Sequence, residues 1–131
     1  IEQSLGFSKL SQTGRVGRKT EVDMRALTNA LIGKYKELAE AQGQHISVTG
    51  EGQMRGNEAM LRQMIDNLLQ NAILHGEEDG QIEINIGNGT YQIQTGGHGL
   101  GLSIVHEIVK LHGGKLHLKV EEEMFCVEIK I

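Results

Sequence analysis

The sequence contains no proline, no tryptophan and only one cysteine among its 131 residues. A single cysteine excludes an intramolecular disulfide framework and a cysteine-rich zinc site. No stretch approaches the roughly 20 consecutive apolar residues of a transmembrane helix, and the first residues do not have the form of a secretory signal peptide. The net charge of −4 argues against a nucleic-acid-binding protein with a strongly basic surface, so no nucleic-acid partner is expected.

Glycine is the residue in excess, at 18 of 131 positions, roughly twice its ordinary share. Hydrophobic residues make up 38% and charged residues 23%, a composition that favours a folded chain over a disordered one. The length suits one domain with a buried core. Because the sequence begins with Ile1 and not with Met, we expect it to be a fragment of a longer protein.

Apolar periodicity and glycine-containing turns predict a chain of alternating helices and strands. Asp23 and Asn57 occupy N-cap positions before two of the helices. The predicted helices span about 1–12, 24–42, 58–75 and 102–112, and the predicted strands span 20–22, 45–49, 53–55, 81–86, 90–95, 115–120 and 124–131. This order predicts an α+β fold, a two-layer α/β sandwich with helices on one face of a mixed, mostly antiparallel sheet.

A polar stripe runs along the longest predicted helix. Its members are spaced four residues apart, which places them on one side of a helix: Gln63, Asn67, Asn71 and His75. Asparagine is a mediocre helix former, and its neutral carbonyl oxygen is a ligand that Mg²⁺ accepts. Taken alone, the stripe is better explained as the solvated face of an amphipathic helix.

A glycine-rich turn, Gly97-His-Gly-Leu-Gly-Leu102, precedes the last predicted helix. Glycines let the backbone approach a ligand closely, and a helix N-terminus attracts anions. The spacing is neither the dinucleotide-binding fingerprint nor a Walker loop. By itself the turn is equally compatible with a tight strand-to-helix connection.

Taken together, these two motifs resemble the catalytic, ATP-binding domain of sensor histidine kinases, which has the Bergerat (GHKL) ATPase fold. Asp66-Asn-Leu-Leu-Gln-Asn-Ala72 with His75 resembles the N box, and residues 97–105 through His112-Gly-Gly114 resemble the G2 box and the helix beyond it. Residues 1–10 resemble the last turns of the dimerisation helix. Asn71-Ala-Ile-Leu-His-Gly76 is also similar to anti-sigma-factor kinases, the nearest rival within this fold.

The resemblance implies ATP and Mg²⁺ as cofactors. Asn71 would ligate Mg²⁺, Asn67 would line the phosphate side of the pocket, and His75 would lie near the ribose and phosphates. The glycine-rich turn would bind ATP, with its backbone and its histidine holding phosphate oxygens: Gly97, His98, Gly99, Leu100 and Gly101. The implied activity is that of a protein-histidine kinase, although the phosphoacceptor histidine would lie upstream of Ile1.

The resemblance also divides the chain and implies its partners. Residues 1–14 would end the dimerisation helix, 15–19 would form a linker, and 20–131 would form the catalytic domain. That domain would position Mg-ATP to phosphorylate a histidine on the upstream dimerisation domain, and a response regulator receiver domain would then accept the phosphate. The full-length protein is expected to be a homodimer and the isolated domain a monomer. The domain would be cytoplasmic, in a parent attached to the inner membrane.

Two departures from the family pattern affect the site. The G1 box, Asp-x-Gly-x-Gly, whose Asp normally hydrogen-bonds the adenine amino group, and the ATP lid are missing between about 95 and 97, and Leu74 replaces a lysine of the N box. Either the lid is left out of this sequence, which predicts a chain break between Thr95 and Gly97, or it has been deleted, or the protein is a degenerate kinase. The alternative function is therefore a non-catalytic interaction module that no longer binds nucleotide.

The remaining reactive side chains have no metal-type spacing. His45, His106, His112 and His117 are interpreted as surface or packing residues. Cys126 alternates with Phe125 and Val127 in the last strand, which predicts an inert thiol on the opposite face of the sheet.

Overall fold

The computed structural model describes residues 16–96 and 102–131. Three helices and seven strands lie within these residues: β1 Thr20–Asp23, α1 Met24–Ala41, β2 His45–Gly50, β3 Gln53–Gly56, α2 Glu58–His75, β4 Gln81–Gly87, β5 Thr90–Gly96, α3 Ser103–Leu111, β6 Lys115–Glu121 and β7 Met124–Lys130. The predicted helix over 1–12 lies outside the described residues. Every other predicted element is present, and each of its ends lies within one residue of the predicted position.

The main sheet has five strands in the order β2-β4-β5-β7-β6. Strand β2 is parallel to β4, and the other three pairings are antiparallel. Strands β1 and β3 form a separate antiparallel pair. The fold is therefore the predicted two-layer sandwich with a mixed, mostly antiparallel sheet.

The core lies between the sheet and the helices. Strands β4, β5 and β7 alternate buried and more exposed side chains, as expected of a sheet with one covered face. Helix α2 contributes eight buried residues to the same core: Met60, Leu61, Met64, Ile65, Leu68, Leu69, Ala72 and Ile73. Thr28 of α1 and Tyr91 of β5, both fully buried, share a hydrogen bond of 2.9 Å between their hydroxyl groups, which ties the helix layer to the sheet.

Both predicted N-caps are confirmed. The Asp23 carboxylate accepts hydrogen bonds of 3.1 Å from the backbone N–H groups of Arg25 and Ala26. The Asn57 side-chain oxygen accepts one of 3.1 Å from the N–H of Met60. These bonds satisfy donors that the first turn of a helix leaves unpaired.

Strand β5 continues without interruption from Thr95 into Gly96, which lies opposite Met124 of β7. The chain break predicted between Thr95 and Gly97 stays a prediction. Gly97 lies outside the described residues.

Within the predicted linker, Val16 is buried, and the Asn57 amide donates a hydrogen bond of 3.4 Å to the carbonyl oxygen of Arg18.

Candidate functional site

A narrow cavity of about 20 Å³ lies between helix α2, strands β5 and β7, and the start of α3. This volume holds about one water molecule. Its lining is apolar except for two side chains: Leu68, Asn71, Ala72, Ile93, Thr95, Leu102, Phe125 and Val127. No carboxylate is among the described residues that line it. The cavity therefore matches a flat, uncharged group better than an ionic one.

Asn71 brings a neutral polar group to this cavity. It lies on α2 one turn before the helix ends, between residues that face the sheet, and it is half-buried. Leu68 and Ala72 pack against the core on either side of it, so the Asn71 side chain lies at the border between the packed face and the solvent. An amide oxygen at such a border can ligate a hard cation or accept a hydrogen bond.

The other members of the polar stripe do not line the cavity. Asn67 is half-buried, and its side-chain amide donates a hydrogen bond of 2.9 Å to the Gln63 carbonyl oxygen. Gln63 lines a groove between α1 and α2, and His75 is exposed at the helix end. A helix with 3.6 residues per turn advances by about 40° for each step of four residues, so the two ends of the stripe diverge by about 120°.

The glycine-rich turn lies mostly outside the described residues, which include neither Gly97, His98, Gly99, Leu100 nor Gly101. Leu102 follows it as the N-cap residue of α3, makes no side-chain capping bond and lines the cavity. The position of the turn relative to Asn71 therefore stays a prediction.

Thr95 is a cavity residue that the sequence motifs did not identify. Its side chain is buried, and its hydroxyl donates a hydrogen bond of 3.2 Å to the neighbouring carbonyl oxygen of Gly96. The alternation of Tyr91, Ile93 and Thr95 along β5 placed it on the buried face. This alternation is the signal that could have predicted its burial, although it does not predict its neighbours.

A second polar group lies close to Thr95. Gln44 is buried, and its amide nitrogen donates hydrogen bonds to the carbonyl oxygens of Ile73 at 3.1 Å and Glu77 at 3.2 Å. Its side-chain oxygen is buried and has no hydrogen-bond partner within residues 16–96 and 102–131. A Cβ atom on Gly76 would lie 3.1 Å from the Thr95 hydroxyl and 3.2 Å from the Gln44 amide nitrogen. The polar end of the site therefore retains unused hydrogen-bonding capacity.

His112 contacts the N-terminal end of α2, opposite the end that lies beside the cavity. Its Nε2 accepts a hydrogen bond of 3.1 Å from the backbone N–H of Asn57, and its Nδ1 lies 2.7 Å from the Ile108 carbonyl oxygen. This arrangement requires the neutral ring with its proton on Nδ1. Burial, the largest cause, lowers the pKa of His112 below 6.5. A Cβ atom on Gly56 would lie 2.7 Å from the ring, so only glycine permits this approach.

His112 is thus a packing residue, as predicted, and not a metal ligand. No group of three or more His, Cys, Asp or Glu side chains within residues 16–96 and 102–131 is arranged to hold a metal ion. Cys126 lies on the less buried face of β7, where it accepts a hydrogen bond of 3.1 Å from the Gln92 amide. The packing role of His112 and the predicted face of Cys126 are confirmed, and the inertness of the thiol stays a prediction.

The groove between α1 and α2 carries a different cluster. The Tyr35 hydroxyl donates a hydrogen bond of 2.6 Å to Asp66, and the Lys34 ammonium lies 3.3 Å from the same carboxylate oxygen. Partial burial first, and then this bond to Asp66, raise the pKa of Tyr35. Asp66 precedes Asn67 in the N-box sequence, but its carboxylate contacts α1 and is not among the residues that line the cavity.

Known proteins are similar to this chain in sequence and in fold. Residues 87–131 match the model of the family described as "Histidine kinase-, DNA gyrase B-, and HSP90-like ATPase". The probable sensor protein PcoS of Escherichia coli is 30% identical over 145 residues, which cover 86% of this chain and 31% of PcoS. The chain therefore spans about a third of that relative. The alignment is longer than the chain, so PcoS contains aligned residues with no counterpart here.

Two solved structures show the same fold. The cytoplasmic segment of the histidine kinase QseC has a TM-score of 0.82 and 20% identity, covering 97% of this chain and 89% of that one. The histidine kinase ThkA, solved in complex with the response regulator TrrA, has a TM-score of 0.67 and 21% identity, covering 86% of this chain and 41% of that one. None of the helices described in this chain is long and apolar enough to cross a membrane.

The matched residues 87–131 include β5, β7 and the N-cap residue Leu102 of α3, which line one side of the cavity. The remaining side comes from α2, whose N-box residues the family resemblance identified. The family match, the sensor-protein relative and the fold together identify the chain as a member of the histidine kinase-, DNA gyrase B- and HSP90-like ATPase family.

Proposed function

We propose that this chain is the ATP-binding domain of a sensor histidine kinase and that the cavity beside Asn71 receives the adenine base. The observation that carries the proposal is the apolar, uncharged lining contributed by α2, β5 and β7, which suits a flat heterocycle. Asn71 and Thr95 are its polar side chains. The family match supports ATP as the ligand.

Asn71 is proposed as the ligand of Mg²⁺. Its side-chain oxygen is neutral, so it adds no repulsion toward a triphosphate, and Mg²⁺ needs only one or two protein ligands when phosphate and water oxygens complete its octahedron. Mg²⁺ would supply neutralisation of the phosphate charge. The absence of a cluster of metal-binding side chains among the described residues is compatible with this mode of binding.

The remaining roles follow the family pattern. Asn67 would line the phosphate side, and His75 would lie near the ribose and phosphates. The turn of Gly97, His98, Gly99, Leu100 and Gly101 would hold phosphate oxygens before the N-terminus of α3. In phosphoryl transfer the protein mainly positions the reacting groups, so these residues would orient the γ-phosphate toward a histidine outside this chain.

The proposed partners are an upstream dimerisation domain, which carries the phosphoacceptor histidine, and a response regulator receiver domain. ThkA, which shares the fold, was solved with a response regulator, and QseC is represented by its cytoplasmic segment. By the same reasoning, residues 1–14 would end the dimerisation helix of a homodimeric parent, and the domain would be cytoplasmic beneath an inner-membrane anchor.

A degenerate module that no longer binds nucleotide is the second candidate function. Two observations favour it: the cavity has room for about one water molecule, and the sequence from the end of β5 at Gly96 to Leu102 contains no Asp, although the family pattern has the G1 Asp just after this strand. A base enters only if the cavity widens.

Calorimetric titration of the 131-residue chain with ATP, with and without Mg²⁺, separates the two functions. The ATPase proposal predicts saturable binding that strengthens when Mg²⁺ is present. The degenerate module predicts no binding at any ATP concentration up to the millimolar range. Circular dichroism of the same sample establishes that the chain is folded, so an absence of binding counts against the ATPase proposal.

A further inference from the structure

Strand β6 forms one edge of the five-stranded sheet and pairs with β7 alone among the residues that the structure describes. Leu118 and Val120 of β6 are 53% and 67% exposed. They lie opposite Val127 and Phe125 of β7, which are buried. Since directly opposite residues share a face, the apolar face of the sheet extends beyond β7 onto the edge strand, where Leu118 and Val120 remain exposed.

The backbone of β6 is oriented to accept another strand. The two-residue turn Glu122–Glu123 closes on the pair Glu121 and Met124, which is a hydrogen-bonded pair. Because hydrogen-bonded positions alternate along an antiparallel pair, the N–H and C=O groups of Leu116, Leu118 and Val120 point away from β7. They have no strand partner among the described residues, and such groups template pairing with another chain.

The sequence of β6 is complementary to itself. In an antiparallel pairing of two copies centred on Leu118, all seven residues of β6 overlap. Leu116 of each copy then lies opposite Val120 of the other, and Lys115 lies opposite Glu121. The outward-pointing backbone groups of both copies meet as hydrogen-bonded pairs in this register.

The charges on the other face favour the same register. Within one copy, Lys115 lies opposite Lys130, so two cations are neighbours on the sheet. A glutamate from a second copy would lie next to them. Lysines on an edge strand ordinarily oppose pairing with another strand, and His117 opposite Lys119 adds no attraction in this register. The favourable contribution comes from Lys115 and Glu121, which form an opposite-charge pair at each end of the overlap.

We propose that β6 pairs antiparallel with β6 of a second copy, centred on Leu118, and joins two sheets into one. A single strand pair buries far less than the roughly 1,200 Å² of a stable interface, so the dimer is weak. The isolated chain is therefore monomeric at low concentration, as the sequence predicts, and pairs in the high-micromolar to millimolar range or when another segment brings two copies together.

Sedimentation equilibrium of the 131-residue chain, from micromolar to millimolar concentration, tests the pairing. The wild-type chain is expected to dimerise, and Val120→Lys, which places a charge at the apolar seam, is expected to raise the dissociation constant at least tenfold. Leu38→Lys is the matched control. Like Val120, Leu38 is an exposed apolar residue, 41% accessible, but it lies on α1. It should leave the dissociation constant unchanged.

A charge exchange tests the register independently. Lys115→Glu and Glu121→Lys each place like charges opposite one another at both ends of the seam, and each is expected to raise the dissociation constant about fivefold. The double variant restores opposite charges and should recover the wild-type value. Both residues are exposed, so folding is preserved. A chain that is monomeric throughout the range, or a dimer that survives Val120→Lys, overturns the proposal.

Discussion

The two ends of helix α2 are built differently. At its N-terminus, Asn57 caps the helix through its side chain and donates its backbone N–H to His112. At its C-terminus, the buried Gln44 oxygen has no hydrogen-bond partner among the described residues, the Thr95 hydroxyl donates to the adjacent carbonyl, and an apolar cavity lies alongside Asn71. At the N-terminal end the polar groups hydrogen-bond within the fold, and at the C-terminal end polar groups remain available to bind a ligand.

This difference separates stability from binding along a single helix. A buried polar group that stays unpaired costs about 1–3 kcal/mol, so a ligand or water that pairs with the Gln44 oxygen would remove this cost. Substitutions at the N-terminal end are therefore expected to affect unfolding, and substitutions at the cavity end are expected to affect nucleotide binding. Four predictions follow this division, beginning with the largest effect.

His112→Ala is expected to lower the free energy of unfolding by about 3 kcal/mol, because it leaves the Asn57 N–H without its partner and opens a space beside Gly56. Urea denaturation measures the change. His106→Ala is the control, since His106 is exposed on α3 and should cost less than about 0.5 kcal/mol. An equal loss in both variants would contradict the role of the buried ring.

Asn71→Leu is expected to weaken ATP binding in the presence of Mg²⁺ by about thirtyfold, or about 2 kcal/mol, because the metal loses its protein ligand. The helix should persist, since Leu68, Leu69 and Ala72 carry the packing. Gln63→Leu makes the same kind of change on the same helix but faces the groove between α1 and α2, and it should bind as the wild type does. Unchanged affinity of folded Asn71→Leu would remove Asn71 from the metal site.

Stability is expected to fall as the pH drops below 6.5. The pKa of His112 is lowered in the folded state, so the unfolded chain binds the proton more readily and acid favours unfolding. The contribution of His112 is complete above the unfolded pKa and decreases below it by at most about 1.4 kcal/mol per pH unit. Denaturation at a series of pH values measures this slope, which His112→Gln should remove. A slope that persists in His112→Gln would assign it to other groups.

Asn57→Ala is expected to cost about 1 kcal/mol, the usual effect of losing an N-cap. Asp23→Ala removes the equivalent cap from α1 and should cost a similar amount. Neither should change ATP affinity, because neither residue lines the cavity. A loss of ATP binding in folded Asn57→Ala would show that the two ends of α2 are coupled.

Local signals in the sequence predicted the elements well, because caps, turns and alternation depend on neighbouring residues. Asp23 and Asn57 cap the helices that they were expected to cap. The strand order was not predictable, since β7 lies between β5 and β6 through contacts distant in sequence. The bond between Asn57 and His112 joins residues 55 positions apart, and no periodic pattern encodes it.

The candidate site was predicted in part. Spacing by four placed Asn67 and Asn71 on one stripe, and the family resemblance singled out Asn71, which lines the cavity. The same spacing also grouped Gln63 with them, but the drift of a helix turns Gln63 toward α1. Thr95 was missed because its importance arises only where β5, α2 and β7 meet, and the sequence alone does not show that meeting.

The most direct test locates the nucleotide by methyl NMR of the 131-residue chain titrated with Mg-ATP. The methyl signals of Leu68, Ile93 and Val127, which line the cavity, are expected to shift with saturable dependence on nucleotide. Those of Val22 and Leu31, which are buried elsewhere in the core, should remain in place. Binding that leaves the cavity methyls unshifted, or a folded chain whose signals do not respond to Mg-ATP, would contradict the assignment of this cavity as the nucleotide site.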